Sequence, residues 1–287
     1  MAHMGMCDDS KDHVMSNATQ YGGSQLDTSP LPSPFWADCR WNDAEAGYIR
    51  MVRDRQDFHS GGKITSPTTE AALIGLPISG FGSSGSTITY DLLKNGGGGL
   101  ILAETTTQEG VVIRSAQAPY QISANKGTLW FEARVKPLLT ATLEMGFLVG
   151  LIDATAASAT SPITMSSGAL ADVNLVGHHK PIANTTAFDN SYKADGVTAV
   201  EVNSDVGTLA NATYIKLGMK FEPRRGNVLS FYINGVKQAN TKTIPNATGT
   251  DFPADVALGW AIAMFVGSAA SDNELHVDWV QVAQEII

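Results

Sequence analysis

Residues 127–137 read Gly-Thr-Leu-Trp-Phe-Glu-Ala-Arg-Val-Lys-Pro. Leu129, Phe131, Ala133 and Val135 alternate there with Trp130, Glu132, Arg134 and Lys136. A period of two puts the first set on one face of an extended strand and the second set on the other. Residues 214–222 repeat the pattern, with Ile215, Leu217, Met219 and Phe221 set against Tyr214, Lys216, Gly218, Lys220 and Glu222. Such strands belong to a sheet with one face on an apolar core. Residues 223–227 predict a turn and residues 228–233 a returning strand. Asn234-Gly235 then marks a type I′ hairpin, whose two central residues both need positive φ, before residues 236–238. Residues 143–152 and 258–267 are apolar on both faces, which predicts central strands covered on both sides. Residues 274–282 make a closing strand, expected to lie in one sheet with a strand from 63–105. Weaker strands fall near 64–74, 86–94, 99–105, 110–114, 172–179 and 197–203.

Strand after strand with turns between them predicts an all-β, antiparallel two-sheet sandwich over 63–287. No repeat of 20–50 residues points to a propeller or solenoid. The composition agrees. The chain has 287 residues with 28 Gly, 12 Pro and 43% hydrophobic residues, enough for a core and against global disorder. Its net charge of −9 argues against a nucleic-acid partner, which a dense Lys/Arg surface would serve. The longest apolar run, 256–266, is far short of the roughly 20 residues of a membrane span. The polar start MAHMGMCDDSKDHVMSN lacks the apolar stretch of a signal peptide, so synthesis in the cytoplasm is expected.

Residues 1–62 read differently. Pro30, Pro32 and Pro34 favour extended chain, and 1–34 is expected to be an arm. A short helix is predicted near 43–57. Asn42 or Asp43 would cap it, Ala44, Tyr48, Met51 and Val52 would form its buried stripe, and Gly61-Gly62 would end it. Cys7 and Cys39 are too few for a disulfide scaffold and are expected as thiols, a Cys7–Cys39 bridge being the alternative.

Three segments together resemble the concanavalin A-like (laminin G-like) jelly roll: residues 127–137, the strand–Asn-Gly–strand hairpin of 228–237, and Glu-Leu-His-Val-Asp-Trp-Val-Gln-Val at 274–282. The resemblance covers roughly 63–287. It implies the fold of legume lectins, many carbohydrate-binding modules and one large class of β-glucanases, and it says little about function. Val173-Asn-Leu-Val-Gly-His-His179, Ala187-Phe-Asp-Asn-Ser-Tyr-Lys-Ala-Asp-Gly196 and Tyr214-Ile-Lys-Leu-Gly-Met-Lys220 further resemble virion proteins of tailed bacteriophages that carry this jelly roll. That resemblance implies a capsid decoration (cement) protein located in the virion. Its partners would be the major capsid protein or other virion proteins, and it would be a homo-oligomer.

The chemistry-bearing motifs are sparse. Glucanases of this fold carry Glu-x-Asp-x-x-Glu on one strand, with two carboxylates about 5–5.5 Å apart acting as nucleophile and acid. This sequence has no Glu-x-Asp. Glu144 and Asp153 lie nine positions apart, hence on opposite faces of one strand. The expectation is therefore a non-enzymatic protein with no catalytic residues. A carbohydrate-binding module and a polysaccharide hydrolase with an unrecognised site are the alternatives. Gly80-Phe-Gly-Ser-Ser-Gly85 matches a dinucleotide fingerprint in letters only, since a strand-like stretch follows it, and Gly96–Gly99 lacks the Lys-Ser/Thr of a P-loop. Adjacent His178 and His179 face opposite ways on a strand and cannot share a metal. No cofactor is expected. Asp189, Asn190 and Asp195 are the residues that could hold calcium in a loop, although Asp, Asn and Gly also simply make turns. The Asn-x-Thr sites at Asn17, Asn184, Asn211 and Asn246 read as surface chain rather than glycosylation sites. Trp36, Trp41 and Trp130 are the candidate interaction residues. Trp36 and Trp41 would anchor the arm, and Trp130 lies opposite the apolar face of its strand, where it could meet core, subunit or glycan.

Overall fold

The computed structural model describes residues 31–40, 50–56, 58, 63–65, 71–73, 76–81, 88–92, 100–104, 109–138, 145–153, 162–164, 168–181, 187–243, 251–267 and 273–287. Its strands are β1 (Met51–Gln56), β2 (Lys63–Thr65), β3 (Ala71–Leu73), β4 (Leu76–Phe81), β5 (Ile88–Leu92), β6 (Leu100–Glu104), β7 (Glu109–Arg114), β8 (Leu129–Leu138) and β9 (Met145–Asp153). They continue with β10 (Leu175–Lys180), β11 (Ala187–Lys193), β12 (Val200–Thr208), β13 (Ile215–Glu222), β14 (Val228–Ile233), β15 (Val236–Thr243), β16 (Leu258–Val266) and β17 (Asn273–Glu285).

These strands form two antiparallel sheets. One runs β15-β14-β13-β8-β17-β6-β5-β2, with β1 added beside β17; the other runs β12-β11-β10-β9-β16-β7-β4-β3. The apolar faces read from the sequence meet between them. Leu129, Phe131, Ala133 and Val135 of β8 and Leu217, Met219 and Phe221 of β13 pack against Phe147, Val149 and Leu151 of β9 and Ile262 and Met264 of β16 in one core. The closing strand shares a sheet with 100–104, as expected, and pairs with it: Val277 lies opposite Leu100. Asn234 and Gly235 take φ of 49° and 78°, the turn that their residue types require.

The centre of the second sheet explains its double apolar pattern. Alternate residues of β9 and β16 face the core. Their other face, with Leu148, Ile152, Ala261, Ala263 and Phe265, forms a second apolar cluster under Ile163, Leu170 and Val173. The described residues between β9 and β10, 162–164 and 168–174, thus roof the outside of this sheet.

The helix expected near 43–57 is corrected. Residues 41–49 lie outside the described residues, and 51–56 is strand β1, paired residue for residue with β17 from Met51–Glu285 to Gln56–Val280. Val52, Asp54 and Gln56 turn half inward while Arg53 and Arg55 are exposed. That is a period of two, which satisfies the backbone through β17 in a way that the weak helical spacing could not match. The described helical structure is two short 3-10 turns, Pro34–Trp36 and Pro223–Arg225. No helix among the described residues is long and apolar enough to cross a membrane.

Candidate functional site

The polar face of β8 and β13 is covered by the chain's own residues 31–40, which lie across it as a strap. Paired rows on this sheet set up the contact. Tyr232, Gly218, Glu132 and Gln281 stand side by side on β14, β13, β8 and β17, and Ser230, Lys220, Trp130 and Ala283 form the next row. The strap meets both. The Ser33 amide donates to Glu132 Oε2 at 3.0 Å. Lys216 Nζ donates to the Leu31 carbonyl at 3.0 Å. Phe35 stacks on Tyr232 with ring centres 4.3 Å apart and fills the hollow above Gly218, where a Cβ would come within 2.7 Å of the ring. Trp36 packs with Cys39, Trp130 and Ala283 in a small apolar cluster. Asp38 closes the site: Trp130 Nε1 donates to its Oδ1 at 3.1 Å, and Lys220 Nζ to its Oδ2 at 2.5 Å.

Glu132 sits under this strap with no exposed surface. Burial is the main cause that pushes its carboxyl up to about 7; the hydrogen bonds from Ser33 and the charge of Lys216 act in the opposite direction. The carboxyl is therefore a proton-holding group at the centre of the contact rather than a fixed anion.

The candidate interaction residues divide accordingly. Trp36 and Trp130 meet each other, both 1% exposed. Trp41 and Cys7 lie outside the described residues. The calcium candidates do not converge. Asp189 and Asn190 are neighbours on β11 and face opposite sides. Asn190 is buried, and Asp189 accepts a 2.7 Å hydrogen bond from the Asp205 amide. Asp195 lies beyond β11, its amide bonded to Asn174 Oδ1 at 3.0 Å. Among the described residues, no group of three His, Cys, Asp or Glu side chains is placed to hold a metal.

His178 and His179 split as adjacent strand residues must. His178 points into the core, against Phe188 and Phe231, with Nε2 3.1 Å from the Gly218 carbonyl. His179 points to the outer face, where Nε2 lies 2.8 Å from the Gly168 carbonyl and ties down the roof over the second sheet. Burial lowers both to about 4, so each is neutral at pH 7. Glu144 lies outside the described residues, and Asp153 ends β9, accepting a hydrogen bond from Asn174 Nδ2 at 3.3 Å.

With this geometry, known structures supply the frame. An endo-1,3-beta-glucanase from Streptomyces sioyaensis superposes with a TM-score of 0.53 at 12% identity, over 83% of this chain and 97% of its own. The sandwich is a concanavalin A-like jelly roll. A protein of unknown function from Shewanella oneidensis MR-1 superposes with a TM-score of 0.50 at 13% identity, over 99% of this chain and 97% of its own. The Emp47p carbohydrate recognition domain gives 0.46 at 11% identity, over 73% and 89%. No protein-family model and no curated protein matches the chain. The expectation of a non-enzymatic protein is corrected by these neighbours. A glucanase is built on the same sandwich, so the fold gives no ground for calling the chain a definite non-enzyme. The missing Glu-x-Asp-x-x-Glu removes only one arrangement of carboxylates.

Sequence reasoning misses the strap, although its signal is present. Trp130 is that signal: among the charged Glu132, Lys216 and Lys220 it is the large apolar side chain that gains from a cover.

Proposed function

We propose that the protein is a structural subunit of a tailed-bacteriophage virion, a capsid decoration protein that contacts neighbouring capsid proteins through its N-terminal residues and its sandwich surface. What supports this reading is the anchored strap. Buried hydrogen bonds to Glu132 and Lys216 fix the point at which residues 1–30 join the sandwich. Thirty residues can reach up to roughly 100 Å when extended, enough to lie across an adjoining subunit. Leu31 and Val236, exposed large apolar residues, flank that point, because Ser33 and Pro34 pack against Gly235 of the β14–β15 turn. Exposed apolar side chains beside a tether suit a contact with a second subunit, either a like copy or the major capsid protein.

Expression together with the genes that neighbour it tests the reading. The chain should sediment with capsid-sized particles. Deletion of 1–30 should release it while its circular dichroism is unchanged. A chain that stays monomeric and apart from intact particles at every concentration overturns the reading. A second reading, a carbohydrate-directed protein, is favoured by an open cleft of about 360 Å³ at the edge of the sandwich, beside Asp54 and Tyr120.

A further inference from the structure

The strap is held differently from the strand that follows it. β1 is laddered to β17 along its length. The backbone bonds described for 33–39 stay largely inside the strap: the Trp36 N–H donates to the Ser33 carbonyl, the Ala37 N–H to Pro34 and the Cys39 N–H to Trp36. The backbone bonds described between strap and sandwich end on side chains, the Ser33 amide on Glu132 and the Leu31 carbonyl on Lys216. A segment held in this way can lift as a unit without opening a ladder.

The group at the centre of the contact changes its surroundings when the strap lifts. With the strap closed, Glu132 has no exposed surface. Its Oε2 accepts from the Ser33 amide, while its Oε1 is buried and meets no donor in hydrogen-bonding geometry among the described residues. An ionised carboxylate calls for donors at both oxygens, and a protonated one is buried at lower cost. Burial outweighs the opposing hydrogen bonds and the Lys216 charge, so the closed site favours the protonated form, with a value of about 7 against an ordinary 4.5. Lifting the strap returns the carboxyl to water.

The other groups around Glu132 are matched elsewhere or carry no charge. Lys220 of β13 and Asp38 of the strap pair at 2.5 Å, and Lys220 also meets Glu222 at 3.2 Å. Arg134, next on the same face of β8, pairs with Asp278. Tyr232 of β14 is pushed up to about 12 by burial and stays neutral. Gln281, opposite on β17, does not titrate, and Cys39 of the strap is a buried thiol. Lys216 of β13 is the cation that acts on Glu132, and its Nζ donates to the strap's Leu31 carbonyl.

We propose that residues 31–40 are a proton-operated latch, closed over the first sheet while Glu132 holds a proton and loosened when Glu132 ionises. The sign follows from linkage: the closed form binds the proton more tightly than the open form, so loss of the proton favours opening. With Glu132 moving between ordinary and closed values, the open fraction should rise about tenfold from pH 6 to pH 8. Opening adds ten residues, roughly 35 Å when extended, to the segment 1–30 that precedes them. The latch rests on the strap and its bed and is independent of the virion reading.

The test uses the full chain with Cys7→Ser, which leaves Cys39 as its thiol. Cys39 is 8% exposed and packs with Trp36 and Trp130, so a thiol reagent reaches it when the strap lifts. Protection is the labelling rate of a free peptide of residues 31–40 divided by that of the chain, which removes the thiol's own pH dependence. Protection of Cys39 should fall about tenfold from pH 6 to pH 8 in this chain and stay flat once Glu132→Gln is added. At each pH it should be at least tenfold lower than the amide-exchange protection of β9 and β16, which marks the opening as local. A flat profile without the Glu132 substitution overturns the latch, as does an equal fall with it. Protection of Cys39 equal to that of β9 and β16 also overturns it, because the strap then opens only with the whole fold.

Discussion

A carboxyl sealed under a strap responds to pH in a direction that its environment fixes. The Glu132 value in the folded chain, about 7, lies above the ordinary 4.5. Its contribution to stability is therefore complete below about pH 4.5 and fades as pH rises through about 7. Glu132→Gln keeps the shape and removes the titration. Measured by urea denaturation, the variant should gain on the parent by about 1–3 kcal/mol between pH 5 and pH 8, because a tenfold difference in proton affinity between folded and unfolded chain corresponds to about 1.4 kcal/mol. An unchanged difference would place the carboxyl in contact with water. Gly218 gives a second test at this scale, because the Phe35 ring occupies the space of its missing side chain. Gly218→Val should expel that ring and expose 31–40 to limited proteolysis, while the sandwich itself resists.

At the scale of elements, the strap behaves as an added layer of the first sheet. Trp36 is among the largest fully buried side chains. Trp36→Ala should cost about 3 kcal/mol or more, as buried tryptophan truncations do, with a matching drop in the urea midpoint. Truncation separates two roles along this segment. Loss of 1–30 should leave the melting temperature nearly unchanged, whereas loss of 1–40 should lower it by several degrees, since it uncovers Trp130 and Glu132. The elements also show how far the sequence can be read. β8 and β13 are legible because one face is apolar, and β9 and β16 because both faces are. β4 escapes notice because Pro77 and Gly80 break its pattern, and β11 because Asp189 and Asn190 resemble loop ligands. β1 is easily misread because four apolar residues can be fitted to a helix, while its strand character comes from a partner far along the chain. The cleft is illegible for the same reason: Asp54 and Tyr120 become neighbours only through β17 and the Tyr120–Leu258 bridge.

For the whole molecule, two histidines set the acid limit. Both are neutral when folded, with values near 4 against an ordinary 6.5. Their contribution is complete above about pH 6.5 and is lost as pH falls toward about 4, because the unfolded chain takes up protons that the folded chain refuses. Glu132 works the other way over the same window. Two groups outweigh one, so net stability should rise with pH between about 4.5 and 6.5, by about 1 kcal/mol per pH unit. A melting curve flat across that window would contradict the burial of both rings. His179→Gln should lessen the slope and loosen the roof over the second sheet, whose Gly168 carbonyl it holds.

The pairing of β1 with β17 also sets a timetable. Asp54 and Trp260, joined by a hydrogen bond, stand 206 residues apart in the chain. Ribosomes add about 5–20 residues per second, so β1 waits on the order of ten seconds or more for its partner to be made. The strap waits on a similar clock, because its bed includes Lys216 and Ala283. Throughout that interval Phe35 and Trp36 are nascent chain without their cover, and the two sheets close over contacts that are mostly distant in sequence. Folding governed by such distant pairings is slow, and the strap cannot settle on its full bed before the closing strand is made.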